Sequence, residues 1–265
     1  MLDTDRRAME TTETLLERHL KDDRILIATG IAIVSILAWV HMARMSISTH
    51  HLPVAHAMAP LHIGEILSLF LMWIVMMTAM MLPTAAPMIL TFSTITRKRM
   101  SQNQPYVSTS IFVFGYLMVS VLYSVLAVAA QIWLHGNAYL TVAGASNNSI
   151  LTGLLLTSAG IYQWTSLKHN CLKKCRSPFD FLMLYWQEGI KGALTMGVRH
   201  GIFCTLCCWV LMALMFVAGV MNLFWMMLVT LVILIEKIAP RGDILARVFG
   251  VVLGCTGIYF IAQSI

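Results

Sequence analysis

The sequence predicts an all-α fold, a polytopic bundle of about seven transmembrane helices with the N-terminus inside and the C-terminus outside. Three observations carry this. Hydrophobic residues make up 58% of the 265 residues and charged residues 11%, where a soluble domain carries about 25%. Apolar stretches run on without charge for far longer than a soluble core can hide, at a mean hydropathy of +0.78. Lys and Arg gather in alternate loops.

The elements follow in order. A hydrocarbon core about 30 Å thick takes about 20 apolar residues of helix. Ile25 to Ala43 is the first such run, with a span near 25–43, and residues 1–24 before it form a charged, amphipathic cytoplasmic segment. Its positive stretch is too long for a signal peptide and no small-residue cleavage site follows. The second span lies near 65–95 and should kink at Pro83 and Pro87. From Met100 to Leu167 there is no charge, and the polar loop from His135 to Ser149 divides that stretch into spans near 107–134 and 149–167. The segment Phe179 to Lys191 reads as an amphipathic interfacial helix. His200 to Ile235 is again free of charge; at 1.5 Å per residue it makes about 54 Å of helix. That is two short spans, near 193–218 and 221–237, broken at Ala218-Gly219-Val220-Met221-Asn222. The last span lies near 245–263, within a single transmembrane domain over 25–265.

Cations test this order. Five Lys and Arg precede the first span, one lies in the first loop, three follow the second span, six fall at the fourth loop and three at the sixth, with none in the third and fifth. The positive-inside rule then places the N-terminus in the cytoplasm. The expected home is a bacterial inner membrane, with the lipid bilayer as first partner. The pI of about 9.1 does not mean nucleic acid, because the basic residues are few and sit between apolar runs.

Four constellations could carry chemistry. In the outer loop, His41, Met42, Met45, His50, His51, His56, Met58 and His62 fall within 22 residues. Imidazole and thioether together suit copper, and imidazole also suits zinc; tolerated membrane-edge histidines are the plain alternative. On the second span, His62, Glu65, Met72, Met76 and Met80 share an arc of about 80°, with Met77, Met81 and Met88 beside them. Six Met in 17 residues could form a thioether ladder for Cu(I), or simply pack, and Glu65 could complement the helix N-terminus. On the fifth span, His200, Cys204, Cys207 and Cys208 project within about 100° of one another. That is a soft-metal set on one face, which a neighbouring helix (Met80 or Met81 from span two) would complete; its alternative is small-residue packing. Last, Cys171 and Cys175 lie in a basic cytoplasmic stretch with His169, Lys173, Lys174 and Arg176. C-x3-C is a loose zinc-like or redox spacing, and the stretch could equally anchor on anionic lipid.

Glu236 and Lys237 end span six and read as an ion pair or interface anchor. The sequence has no Walker loop, nucleotide fingerprint, Ser-His-Asp order or H-E-x-x-H motif, which speaks against ATP-driven pumping and zinc proteolysis and, more broadly, against an enzyme.

Three blocks together resemble a family described as predicted metal-binding integral membrane proteins (domain of unknown function 2182). They are Met72-Trp73 through Met76-Met77-x-Ala79-Met80-Met81-x-Pro83 to Pro87-Met88; Tyr162-Gln163 through Leu167-Lys168, Cys171 and Cys175-Arg176-x-Pro178; and Gly197 through His200-Gly201, Cys204, Cys207-Cys208-Trp209 to Gly219-x-Met221-Asn222, Trp225-Met226 and Glu236-Lys237. The blocks cover roughly 65–240. Thr205-Leu206 depart from the pattern, which carries Gly just before Cys207. The resemblance implies metal binding and names no metal or reaction.

The expectation is a metal-binding membrane protein, with copper as the ion and zinc as its alternative, that stores metal, moves it inward or delivers it to a membrane metalloenzyme complex. The competing expectations are a non-catalytic accessory subunit of a larger membrane complex, and a membrane thiol oxidoreductase.

Overall fold

The computed structural model describes residues 2–49, 62–102, 107–141 and 144–264. Within these the chain is a helical bundle of ten helices: α1 Leu2–Thr49, α2 Ile63–Ser101, α3 Thr109–Gly136, α4 Ser149–Tyr162, α5 Ser166–Arg176, α6 Pro178–Tyr185, α7 Gly189–Ala213, α8 Met215–Ala218, α9 Leu223–Ile238 and α10 Gly242–Ala262. Five segments are long and apolar enough to cross a membrane: Arg24–Ile47, Ile63–Met100, Thr109–Gly136, Gly189–Ala218 and Gly242–Ala262. The other two expected spans correspond to α4 and α9, of 14 and 16 residues. At about 21 and 24 Å they are shorter than a 30 Å core, so length does not establish a count of seven.

Two boundaries differ from the sequence expectation, each for a local reason. The fourth span was expected to run to Leu167, but α4 stops at Tyr162. The Thr165 side chain caps a new helix by accepting from the Lys168 N–H at 3.3 Å. Gln163, fully buried at this break, spends its side chain on Glu236. The expected helix over Phe179 to Lys191 ends at Tyr185 as α6, and α7 starts at Gly189, whose φ of 77° is left-handed. The break after Ala218 stands where the sequence puts it: Gly219 takes φ 103° and Asn222 caps α9 by accepting from the Trp225 N–H at 3.1 Å.

α2 continues through Pro83 and Pro87 as one helix. Pro83 cannot donate to the Ala79 carbonyl four residues earlier. Trp39 of α1 takes that place, its indole N–H donating to Ala79 O at 3.1 Å, so the proline's missing bond becomes an α1–α2 tie.

α3 lies along α7, α4 along α10, and α1 and α3 against α2. The α3–α7 contact is close because Gly197 faces the Phe112 carbonyl, where any Cβ would collide. In the α4–α10 contact a Cβ on Gly160 would sit 2.7 Å from the Gly250 carbonyl. Small residues allow this approach where no hydrophobic force drives helices together.

Candidate metal centre

The outermost expected ligands part company. His50, His51 and His56 lie outside the described residues. His62 and Glu65 stand exposed at the start of α2, where the Glu65 carboxylate accepts from the His62 backbone N–H at 3.1 Å. That closes the first turn in the manner of a capping box. Below them Met72, Met76, Met77, Met80, Met81 and Met88 are all buried in the core.

The cysteines of α7 are placed differently. α7 buries His200, Cys204, Cys207 and Cys208. Cys207 and Cys208 each donate their thiol to the Cys204 carbonyl at 3.0 Å. Cys208 Sγ also lies 3.7 Å from Met81 Sδ of α2. From α5, the Cys175 thiol comes within interaction range of Cys204 and Cys207, and their influence pushes its pKa up. Cys171, one turn earlier, is also buried, and burial pushes its thiol up. The C-x3-C stretch and the α7 cluster, two separate constellations in the sequence, are therefore one cluster. α5 packs on α7 and brings them together.

Charge surrounds the thiols. Lys237 of α9 is buried, with its ammonium 2.9 Å from Cys204 Sγ and 3.0 Å from Thr84 Oγ1. The Tyr116 hydroxyl donates to the Met81 carbonyl at 3.1 Å and lies 3.2 Å from Cys204 Sγ. The ion pair expected at Glu236 forms, with Lys168 rather than with the neighbouring Lys237. Glu236 binds the fully buried Lys168 at 2.7 Å and accepts from Gln163 at 2.9 Å. Successive helical residues point about 100° apart, so these two neighbours serve different partners. His200 sits among the rings of Phe112, Tyr116 and Phe181, and its Nδ1 is buried without a hydrogen-bond partner.

Sequence reasoning did not assign Lys168, Glu236, Lys237 or Tyr116 to the cluster. The available signal was ionisable residues in apolar surroundings, a mark of functional sites in membrane proteins. Among the described residues no three His, Cys, Asp or Glu side chains are placed as a ready cage for a metal ion.

Residues 70–260 match the family described as PpoB2: copper chaperone. The matched stretch contains α5, α7, α9 and the whole of α2's methionine face. The match carries that description and not the domain-of-unknown-function name that the sequence blocks suggested. No curated protein and no solved structure matches the chain. The match extends over most of the chain and takes in every cysteine of the buried cluster, and on that ground the protein belongs to the PpoB2 copper chaperone family.

Proposed function

We propose that this protein is a membrane copper chaperone that carries Cu(I) on Cys175, Cys204, Cys207 and Cys208, with the Met81 thioether as a further donor and Cys171 and His200 at the margin. The observation that carries this reading is the meeting of Cys175 from α5 with the α7 thiols beside the buried Lys237. Cu(I) is soft and prefers thiolate and thioether to oxygen donors. Each thiol that takes the ion gives up its proton and its bond to the Cys204 carbonyl. Thiolates around a single monovalent ion leave the centre anionic. Lys237 supplies the counter-charge that makes such a centre tolerable away from water.

The bacterial inner membrane, with the N-terminus inside, is part of this proposal and rests on the distribution of Lys and Arg. In that orientation the thiol centre opens towards the cytoplasm through α5, and His50, His51, His56, His62 and Glu65 gather metal on the outer side. Met76, Met77 and Met80 lie between the two. Delivery to a membrane metalloenzyme is the final step.

The test is the copper content of full-length protein extracted without chelator after copper-replete growth. Wild type should retain copper, and the Cys204→Ser/Cys207→Ser/Cys208→Ser variant should insert and lose it. Cys175→Ser should bind at least tenfold more weakly. A copper-free wild type, or a triple variant with unchanged copper, overturns the reading and leaves an accessory subunit whose cysteines pack. Zinc in place of copper would keep the centre and change the ion.

A further inference from the structure

We infer that the cavity between α5 and the start of α10 is a binding site for a phosphate group, either the headgroup of an anionic lipid or a free phosphate. The cavity has a volume of about 360 Å³. Its wall carries the cationic Lys173, Arg176 and Arg247 and the imidazole of His169, against a single carboxylate, Asp243. Three cations against one anion leave an excess of positive charge. Arg176 is partly spent, since its guanidinium donates to the carbonyls of Ala239 and Pro240 and lies 3.9 Å from Asp243. Lys173 and Arg247 are exposed and face the same space.

His169 makes this more than a basic surface. Its Nε2 is buried and has no hydrogen-bond partner. A buried polar atom without a partner is destabilising, and here the atom belongs to a residue lining a cationic cavity. An anion with several acceptor oxygens would satisfy it together with the Arg247 fork and the Lys173 ammonium. Ser166 and Asn170, one helical turn apart, add neutral donors to the same wall. The volume exceeds what a carboxylate or halide needs and suits a phosphate with its substituent. The cavity also lies where the apolar α10 begins, and basic residues flanking a membrane helix attract anionic lipid headgroups.

Such an anion would tie α5 to α10. α5 carries Cys171 and Cys175, so the site would clamp the helix that contributes thiols to the buried cluster. The cavity stands on its own residues and does not depend on copper.

The experiment is thermal unfolding of delipidated full-length protein in mild detergent, titrated with dioleoylphosphatidylglycerol, dioleoylphosphatidylcholine or inorganic phosphate. The expected result is a saturable rise in Tm with phosphatidylglycerol, with half-saturation shifted at least tenfold in Lys173→Gln/Arg247→Gln. Arg24→Gln/Lys191→Gln, which removes as much charge elsewhere, should behave as wild type. A rise with phosphatidylglycerol and none with inorganic phosphate assigns a lipid headgroup; an equal rise with inorganic phosphate assigns a free anion. The proposal fails if neither probe gives a saturable shift, if the control variant loses as much as the cavity variant, or if phosphatidylcholine matches phosphatidylglycerol in both variants.

Discussion

α2 and α7 each carry a stripe of sulfur side chains through the bundle, and the two stripes meet different surroundings. The six methionines of α2 are buried to 2% exposure or less. All six sit in the hydrophobic core beside residues such as Ile89 and Phe92, and Met81 alone of the six has a described sulfur contact, with Cys208. The cysteines of α7 are equally buried, but they face a lysine, a tyrosine hydroxyl and the thiol of another helix. Burial and softness are common to both. Converging polar groups and a charge are found at one. A soft side chain in a membrane helix becomes a candidate ligand when something nearby would be wasteful in a purely packed core. A buried ammonium against a thiol is such a feature.

The largest effect should come from Lys168→Met, which strips Glu236 of its ion-pair partner within the surroundings of α7. Breaking a buried pair on one side costs about 3–5 kcal/mol, and both partners here are at most 2% exposed. Unfolding in detergent should show the loss, and Lys168→Met/Glu236→Leu should recover most of it. A single variant as stable as wild type would mean that the pair contributes little to the bundle.

Next is Lys237→Met, which removes the charge from the thiols together with its hydrogen bond to Thr84 of α2, and leaves the methionine stripe itself unchanged. Hydrogen bonds to charged groups contribute about 1.5–3 kcal/mol, and 1.4 kcal/mol is tenfold in affinity. Competition with a Cu(I) chelator should therefore show at least a tenfold weaker complex. Lys237→Arg should restore much of it. Equal affinity in all three proteins would remove Lys237 from the centre.

The methionine stripe should respond less. Met72→Leu/Met76→Leu/Met77→Leu/Met80→Leu changes shape and little volume, at under about 1.5 kcal/mol for each swap, and copper content should stay close to wild type. Loss of copper in this variant would reinstate a thioether ladder and erase the contrast between the helices. Smallest of all, replacing His50, His51, His56 and His62 together by Ala should lower retained copper by less than the triple cysteine variant does. No change would return that loop to a tolerated surface.

Much of this fold could be read in the residues because bilayer physics is written locally. The uncharged runs, the break at Gly219 and the polar loop before Asn148 each depend on neighbours in sequence. The face formed by Cys204, Cys207 and Cys208 follows from helical spacing. The end of α4 at Tyr162 was not legible, because it depends on Gln163 finding Glu236 some seventy residues away. The union of Cys175 with the α7 thiols was hidden for the same reason. Gly197-x3-Gly201 and Gly250-x3-Gly254 did carry a local signal for close helix contact, and the structure places Gly197, Gly201 and Gly250 against a neighbouring helix.

The proposed centre holds the ion on sulfur from α5 and α7, with Met81 of α2 as a further donor, and on no outer-loop imidazole. X-ray absorption at the copper edge of Cu(I)-loaded full-length protein tests it most directly. The expected result is a first shell of sulfur that loses a scatterer in Cys175→Ser and is unchanged in the outer-loop His→Ala variant. A first shell dominated by nitrogen or oxygen, or one indifferent to Cys175, would contradict it.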